Sequence, residues 1–481
     1  MKRKISSLVI ASAILTGTAF TPIALNEVSA ASVQQQKVNV KKETVVVNGG
    51  EKTVLSTEVN KMKLYSIKEL ANLMSANVVY NKKTKKYEAT KKIGNQVKKV
   101  EYAVNSTNAI INGKKLVISV APRIIDNKLY VDAESLVTAL GGDIVVTKNG
   151  YFISTDGLVS GNTFNPQWVN NSTILVTNET EVDSRSLLIN TASKKADFTI
   201  NATELVVSPN GKQAIYSDEN GFVFLVDLLV KKVKSLNVTD DSVKLDFVWS
   251  KDGQVVYFIK GEKSDEVASI NLSTGVIKEI FKDKLIYKTD LRLSVDGNKL
   301  LYTVGQEGKT TTTEGDNPEV VSIDLTGTED QFYVINLEDE KPAGVVLTTS
   351  TDNKVSPAFL PNGNVVYISA DADSDKLPEL KVISGNGKDV KVSTLVKNKD
   401  IVSFKVTAEG KIMLLAKVNG YSDIYEVNPV TKALTKVAST KLVLTSFDIS
   451  NGGKSIVATT LGKNGDVVVV YKNGVFEALT K

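Results

Sequence analysis

The chain of 481 residues contains no cysteine and no histidine. The first absence excludes a disulfide framework, a thiolate zinc site, a cysteine nucleophile and a Leu-x-x-Cys lipidation site. The second excludes a Ser-His-Asp triad, a histidine-ligated metal and a general base whose unperturbed pKa lies near neutrality. Carboxylates, tyrosines, lysines and oxygen-ligated cations such as Ca²⁺ remain available. Arginine is scarce: Arg3, Arg123, Arg185 and Arg292 are all there are. Bidentate readout of phosphates and base edges relies on arginine, so no nucleic-acid partner is expected.

Long apolar runs are also missing, apart from one near the start, Ile5 to Phe20. It follows the basic Lys2-Arg3-Lys4 and precedes the small-residue cleavage pattern Val28-Ser29-Ala30. This order predicts a signal peptide over residues 1–30, with Ala31 as the mature N-terminus. The run falls short of the ~20 residues a spanning helix needs, and Ser6, Ser7, Ser12, Thr16 and Thr18 interrupt it. The expectation is an exported chain with no membrane span after cleavage.

What is present points to β-structure. Val, Ile, Thr and Tyr are plentiful, and helical periodicity is rare, so the fold class read from the sequence is mainly β. The net charge of +5 hides an asymmetry. Between Ala31 and Thr155, basic residues outnumber acidic ones roughly two to one, and the remainder is mildly acidic.

Residues 31–155 carry one pattern twice. Val45-Val46-Val47-Asn48-Gly49 precedes a helical stretch around Ile67, Leu70 and Leu73-Met74, then Val78-Val79-Tyr80. Ile110-Ile111-Asn112-Gly113 precedes a second stretch around Leu136, Val137 and Leu140, then Ile144-Val145-Val146. Each copy predicts a hairpin with an Asn-Gly turn, a strand, a short helix and a final strand, giving a small α+β domain. Ser66 and Asp132 are the expected N-caps, Glu69 completes a capping box, and Gly141 ends the second helix. The paired Asn-Gly turns, the Leu64-Tyr65 and Leu129-Tyr130 strands ahead of each helix, and Leu140-Gly141-Gly142-Asp143-Ile144 make this region similar to the copper amine oxidase N-terminal-like, or stalk, domain. That domain is common in secreted proteins of Gram-positive bacteria. The resemblance implies a secreted or cell-wall-associated protein of such a bacterium. It implies no activity, because the copper site of those enzymes lies in another domain and needs histidine.

Residues 156–481 repeat with a longer period. Each unit is an apolar strand, a Ser-x-Asx-Gly type of turn and a second strand ending in an aromatic or small residue. Its turn glycines are Gly211, Gly253, Gly297, Gly363, Gly410 and Gly453, and a degenerate first copy surrounds Trp168. The glycines stand about 39–47 residues apart, except for about 66 between Gly297 and Gly363, a period that signals propeller blades. Glycine suits the turn because it takes positive φ without steric cost. The repeats resemble the TolB-type, or WD-like, β-propeller of exported proteins. Seven blades are favoured, and six remain open because the Trp168 copy is degenerate.

Few residues announce a site. Asp371, Asp373 and Asp375 alternate as a Ca²⁺ loop does, but neither the sixth-position glycine nor the twelfth-position acid follows, and an exposed inter-strand loop is the favoured reading. The polar insertion over 305–330, with its run Thr310 to Thr313, reads as a solvated loop or a partner-contacting one. Ser250-Lys251-Asp252-Gly253 departs from a sialidase Asp-box, and Arg185 with Arg292 cannot form the arginine cluster such a site needs. The lysines Lys82, Lys83, Lys85, Lys86, Lys91, Lys92, Lys98 and Lys99 form a solubilising face or one that contacts anionic wall polymers.

The sequence reading is thus an exported, non-enzymatic binding or scaffold protein. It has no catalytic or cofactor-binding residue and no cofactor beyond the Ca²⁺ candidate. The propeller presents a surface to an unidentified protein or glycan. Two alternatives stand beside it: a structural wall-associated spacer, and a hydrolase or lyase using carboxylates at the channel mouth. Clustering of Asp and Glu from different blades at one mouth separates the last of these from the others.

Overall fold

Alternating apolar and polar residues set the strands, and Asx-Gly or Ser-x-Asx-Gly turns reverse them. The computed structural model describes residues 39–481 apart from 49, 95, 148–149, 182, 237–239, 313–320, 325–326, 372–374, 386–388, 408, 451 and 454. The expected signal peptide lies outside the described residues. None of the described helices is long and apolar enough to cross a membrane.

The N-terminal region builds a seven-stranded and a five-stranded sheet around helices α1 (Ile67–Leu73) and α2 (Ala133–Ala139). The two sequence copies interlock: Tyr130 and Val131 of the second pair antiparallel with Ser66 and Tyr65 of the first. Ile67, Leu70 and Ala71 of α1 and Leu136 and Val137 of α2 enter one core with Met74, Val100 and Tyr102. Asn112 and Gly113 take φ of 48° and 85°, as a two-residue hairpin turn with matching twist requires. Asp132 caps α2 by accepting the Ser135 N–H at 3.0 Å. The first helix departs from expectation, because Ser66 makes no side-chain cap bond. The Glu69 carboxylate instead accepts the Leu55 N–H at 2.6 Å, so a strand donor from outside the helix takes the oxygen a capping box would have used.

Beyond residue 161 the chain forms seven four-stranded antiparallel sheets, blades 1 to 7. The first strands are Asn162–Asn170, Val206–Val207, Lys244–Trp249, Lys288–Leu293, Asn353–Phe359, Asp400–Val406 and Leu444–Ile449. First strands of blades 3 to 7 touch in turn, and those of blades 7 and 1 touch as well; blade 2 joins through its second strand against blade 3 and through Gln167 of blade 1, which donates to the Leu205 carbonyl at 3.1 Å, so the blades surround a central channel. The degenerate Trp168 copy is a complete blade, and the count is seven. Among the described residues no strand is exchanged at the closing seam. A Val159–Thr480 bridge, a Thr163–Thr480 hydroxyl pair and Asn162 accepting the Asp466 N–H at 2.7 Å close the ring. Ile174, Val176, Leu187 and Ile189 meet Val457, Val468, Val470 and Leu479 in one core there.

The six repeat glycines lie at φ between 69° and 84°. A Cβ on Gly211 would come within 1.9 Å of the Val169 carbonyl oxygen of the preceding blade, so that turn needs glycine for space as well as for φ. The insertion in blade 4, expected as a loop, carries an antiparallel ribbon in which Lys309–Thr312 pairs with Val321–Asp324. β-branched threonines favour this extended state.

Three lysines are fully buried where successive blades meet. Lys244 Nζ donates to the carbonyls of Gly221, Asp240 and Ser242 at 2.8, 2.7 and 2.8 Å. Lys354 Nζ donates to Asp330, Ser350 and Asp352 carbonyls at 3.2, 2.6 and 2.8 Å. Lys288 Nζ reaches the Asp265 carbonyl at 2.9 Å, the Asp283 carboxylate at 2.7 Å and the Leu285 carbonyl. In each case one oxygen comes from the turn between the second and third strands of the preceding blade, and the others come from the segment joining the two blades. Burial pushes Lys244 and Lys354 below the ordinary lysine value, against the opposing charges of Asp240 and Asp352. Burial pushes Asp352 up, but Ser350, Ser369, Lys354 and Lys381 outweigh it and hold that carboxyl at about 2. In blade 1 Thr163 takes the lysine's place, its hydroxyl directed to the Asp466 carbonyl at 3.4 Å.

Strands from the end of the N-terminal region pack on the last blades. Val145 and Phe152 share a core with Met413, Leu444, Phe447 and Val469. Asp143 accepts the Leu158 N–H at 2.6 Å and pairs with the Lys481 ammonium.

Removing one lysine leaves its oxygens buried and unpaired. Lys288→Met is therefore expected to lower unfolding stability by about 3 kcal/mol. Lys278→Met, at an exposed position, should change it by less than ~0.5 kcal/mol in the same urea titration. Equal effects at the two positions would contradict the clamp.

Candidate functional site

Two residues after each buried lysine the inner strand slips register against its neighbour, between Leu245 and Val248, Thr289 and Arg292, and Val355 and Ala358. At the slip, Asp246, Asp290 and Ser356 adopt φ of 52°, 55° and 57°. Asn165 in blade 1 and Glu204 ahead of the blade 2 strand occupy the same place at 49° and 58°. Left-handed backbone costs a non-glycine residue roughly 1–2 kcal/mol, so its recurrence in five consecutive blades has to be held by the packing around it. The following residue, Pro166, Leu205, Phe247, Leu291 or Pro357, is buried in every case. The bulge thus keeps the apolar residue in the blade and leaves the polar residue at the channel end of the strand.

These polar residues converge. Asn165, Glu204, Asp246 and Asp290 line one cavity of about 1010 Å³, joined by Asp218 and Glu219 from the rim. Asp246 Oδ2 accepts the Asp290 N–H at 2.6 Å, which ties blade 3 to blade 4 at the site. Arg292 pairs with Asp290 at 3.2 Å and also lines the cavity. The Lys244 ammonium is fully buried among its own oxygens. Asp330, in the adjoining turn of blade 4, lies within electrostatic reach of Asp290. Lost hydration around its carboxyl, then the charge of Asp290, push Asp330 above the ordinary carboxylate value, and Lys354 partly offsets them.

A second cavity of about 450 Å³ occupies the other end of the inner strands, where the Ser-x-Asx-Gly turns lie. Blades 1, 2, 6 and 7 line it, with Gln167, Trp168, Ser208, Lys405, Glu409 and Asp448 among its walls.

The residues singled out from sequence fall elsewhere. Asp371 and Asp375 are exposed, Asp371 pairs with Lys376 at 3.8 Å, and Asp373 lies outside the described residues. Among the described residues no group of three Asp or Glu has metal-binding geometry. Of the repeat glycines, Gly211 lines the turn-side cavity. Arg185 donates to the Asn178 side chain at 3.2 Å, away from Arg292. Of the lysine runs, Lys99 pairs with Glu88 and Glu101, both at 3.0 Å.

The carboxylates at the bulges were not foreseen individually. Their signal was present, since Lys244, Lys288 and Lys354 stand the same number of residues ahead of Gly253, Gly297 and Gly363, each followed two residues on by Asp, Asp or Ser.

Residues 46–154 match the Copper amine oxidase N-terminal domain. No curated protein matches the chain in sequence. In structure, the chain is similar to a puromycin-hydrolyzing peptidase of Mycobacterium tuberculosis, with 12% identity and a TM-score of 0.51, over 66% of this chain and 52% of that one. The chain therefore spans about half the length of that peptidase. An oligogalacturonate lyase from Vibrio parahaemolyticus aligns over 67% of this chain and 87% of its own, with 13% identity and a TM-score of 0.46. The Myceliophteria thermophila Cps50 β-propeller domain aligns over 57% and 83%, with 12% identity and a TM-score of 0.41. The expectation of a non-enzymatic chain is corrected on this point, because the fold that it rested on is shared with a peptidase of known structure. At such identities the likeness carries the fold, and the N-terminal region carries its family: a copper amine oxidase N-terminal domain followed by a seven-bladed β-propeller.

Proposed function

We propose that the propeller is an exported, carboxylate-dependent glycan-cleaving enzyme, a hydrolase or lyase, whose reaction site is the bulge-side mouth of the channel. The observation that carries this reading is the gathering of Glu204, Asp246 and Asp290, from blades 2, 3 and 4, on one cavity. Glycan cleavage without histidine or thiol needs a carboxyl group that holds a proton and a carboxylate that has lost one. Asp330, pushed upward and within electrostatic reach of Asp290, is the carboxyl suited to deliver a proton to the leaving oxygen, although it stands behind the residues that line the cavity. Asp246 and Asp290 are suited to take one from water or from a sugar carbon. Arg292, oriented by Asp290, is placed to hold a substrate oxygen. The N-terminal domain would hold the enzyme at the anionic wall polymers of a Gram-positive surface through Lys82, Lys83 and Lys85, which are exposed on one turn.

Two experiments test this. Purified protein is incubated with a panel of polysaccharides, wall glycan included, and new reducing ends and ultraviolet-absorbing unsaturated ends are measured. Asp246→Asn and Asp290→Asn should each reduce the rate about 10²–10⁴-fold. Because Asp330 must keep its proton, the rate should fall as pH rises through its elevated pKa, and Asp330→Asn should remove that alkaline limb. No product from any polymer, or unchanged rates in the variants, would overturn the reading. For the surface role, retention on isolated walls should fall steeply in ~1 M salt, where screening shortens to about 3 Å. Retention that ignores salt would contradict it.

A further inference from the structure

We propose that the cleft between blades 1 and 2 is a subsite of the reaction cavity, taking the ammonium group of a hexosamine residue whose amine is free. The inference rests on the glycan-cleaving reading and names the class of sugar that the same site prefers.

The clamp lysines Lys244, Lys288 and Lys354 each stand nine residues ahead of their blade's turn glycine, Gly253, Gly297 or Gly363. The same position holds Ala202 in blade 2, Ile401 in blade 6 and Leu444 in blade 7. Ile401 and Leu444 are buried in the apolar cores of their blades, and Thr163 takes the place in blade 1. Only in blade 2 is the side chain too short to fill the junction. A shared contact shows that Ala202 stands where the lysine does. A serine of the preceding blade donates to the carbonyl of each, Ser217 to Lys244 at 2.9 Å and Ser186 to Ala202 at 2.8 Å.

A cavity of about 210 Å³ opens at this junction. Its walls include Glu179 and Ser184, at the facing ends of the second and third strands of blade 1, and Thr203 and Glu204 of the joining segment. The corresponding segments supply the oxygens around Lys244, Lys288 and Lys354. No lysine or arginine is among the described residues that line it. Arg185, between Ser184 and Ser186, takes the other face of its strand, where Asn178 accepts from it at 3.2 Å. Asn162 donates to Glu179 Oε2 at 3.0 Å, which leaves Oε1 for a second donor. The Glu204 carboxylate is exposed and has no partner among the described residues.

A guest ammonium in this cleft meets oxygens alone, as a lysine ammonium does at the next three junctions, and two of the groups are carboxylates. An N-acetylated amine brings no charge and more bulk, and a uronate brings a charge of the wrong sign. The cleft opens on the reaction cavity, since Asn165, Gln167, Glu204 and Leu205 line both. It is smaller than the roughly 300 Å³ at which whole-ligand pockets begin. It therefore takes one sugar of a chain whose next units lie over Asp246 and Asp290.

The probes are the tetramers of glucosamine, N-acetylglucosamine and galacturonate, with binding followed by calorimetry at pH 6 on the Asp290→Asn protein. The glucosamine tetramer should bind about 10-fold or more tightly than either of the others. Glu179→Gln should reduce that preference about 10-fold. Ala202→Lys, which returns the clamp lysine to the cleft, should abolish the preference without lowering the urea midpoint of unfolding. Equal affinities for the three tetramers, binding of none, or a preference that survives either substitution would overturn the subsite. Cleavage is scored separately on the unsubstituted protein. Product formation with equal affinities strikes the subsite and leaves the reaction site standing. A clear preference with no product from any polymer strikes the reaction and leaves an ammonium-binding cleft.

Discussion

A buried ammonium group is tolerated only where oxygen atoms surround it, and this requirement shapes the propeller at its centre. Lys244, Lys288 and Lys354 each collect carbonyls from a turn of the preceding blade and from the segment that joins the two. The lysine therefore fixes where one blade stands relative to the next. With the lysine anchored at the start of the inner strand, the strand reaches its neighbour's register through a bulge. The bulge residue carries positive φ and stays in the channel mouth. In blades 3, 4 and 5 the packing that joins the blades and the polar lining of the channel therefore meet within two residues of one strand, whereas blades 1 and 2 reach the same bulge without a lysine.

The two ends of the channel differ because the two ends of the inner strands differ. The bulge end presents Glu204, Asp246 and Asp290 with Arg292 as a countercharge at the cavity, a set suited to proton transfer on a hydroxylated substrate. The turn end presents Lys405 with the carboxyl groups of Glu409 and Asp448 and side-chain amides. Between them Gln167 contributes to both cavities. The N-terminal domain is joined to the last blades by a shared apolar core through Val145 and Phe152, so it acts on the propeller as a fixed base rather than a loose tether.

Much of the fold was legible because it is local. A turn glycine, an apolar alternation and a helical face each show within a few residues, and their repetition made seven blades readable even at the degenerate Trp168 copy. The site was less legible because it depends on what distant segments do together. A lysine in a strand reads as a solvent-facing charge, and nothing within a few residues of Lys288 reveals that Asp265 and Leu285 supply its oxygens. Asp246 and Asp290 read as ordinary strand carboxylates until the bulge sets their backbone. Asp448 owes its character to burial against blade 1, some 280 positions away in sequence. Glu69 shows the same limit on a smaller scale, since its capping pattern was local and its actual partner, Leu55, was not.

The most direct test of the account is a crystal structure of the Asp290→Asn protein soaked with an oligosaccharide selected by the cleavage assay on the unsubstituted protein. The account predicts sugar density in the bulge-side mouth, with a glycosidic oxygen within hydrogen-bond reach of Asp330 and a sugar hydroxyl or ring carbon facing Asp246. Sugar bound on the outer face of the blades, with the bulge-side mouth holding only solvent, would contradict it.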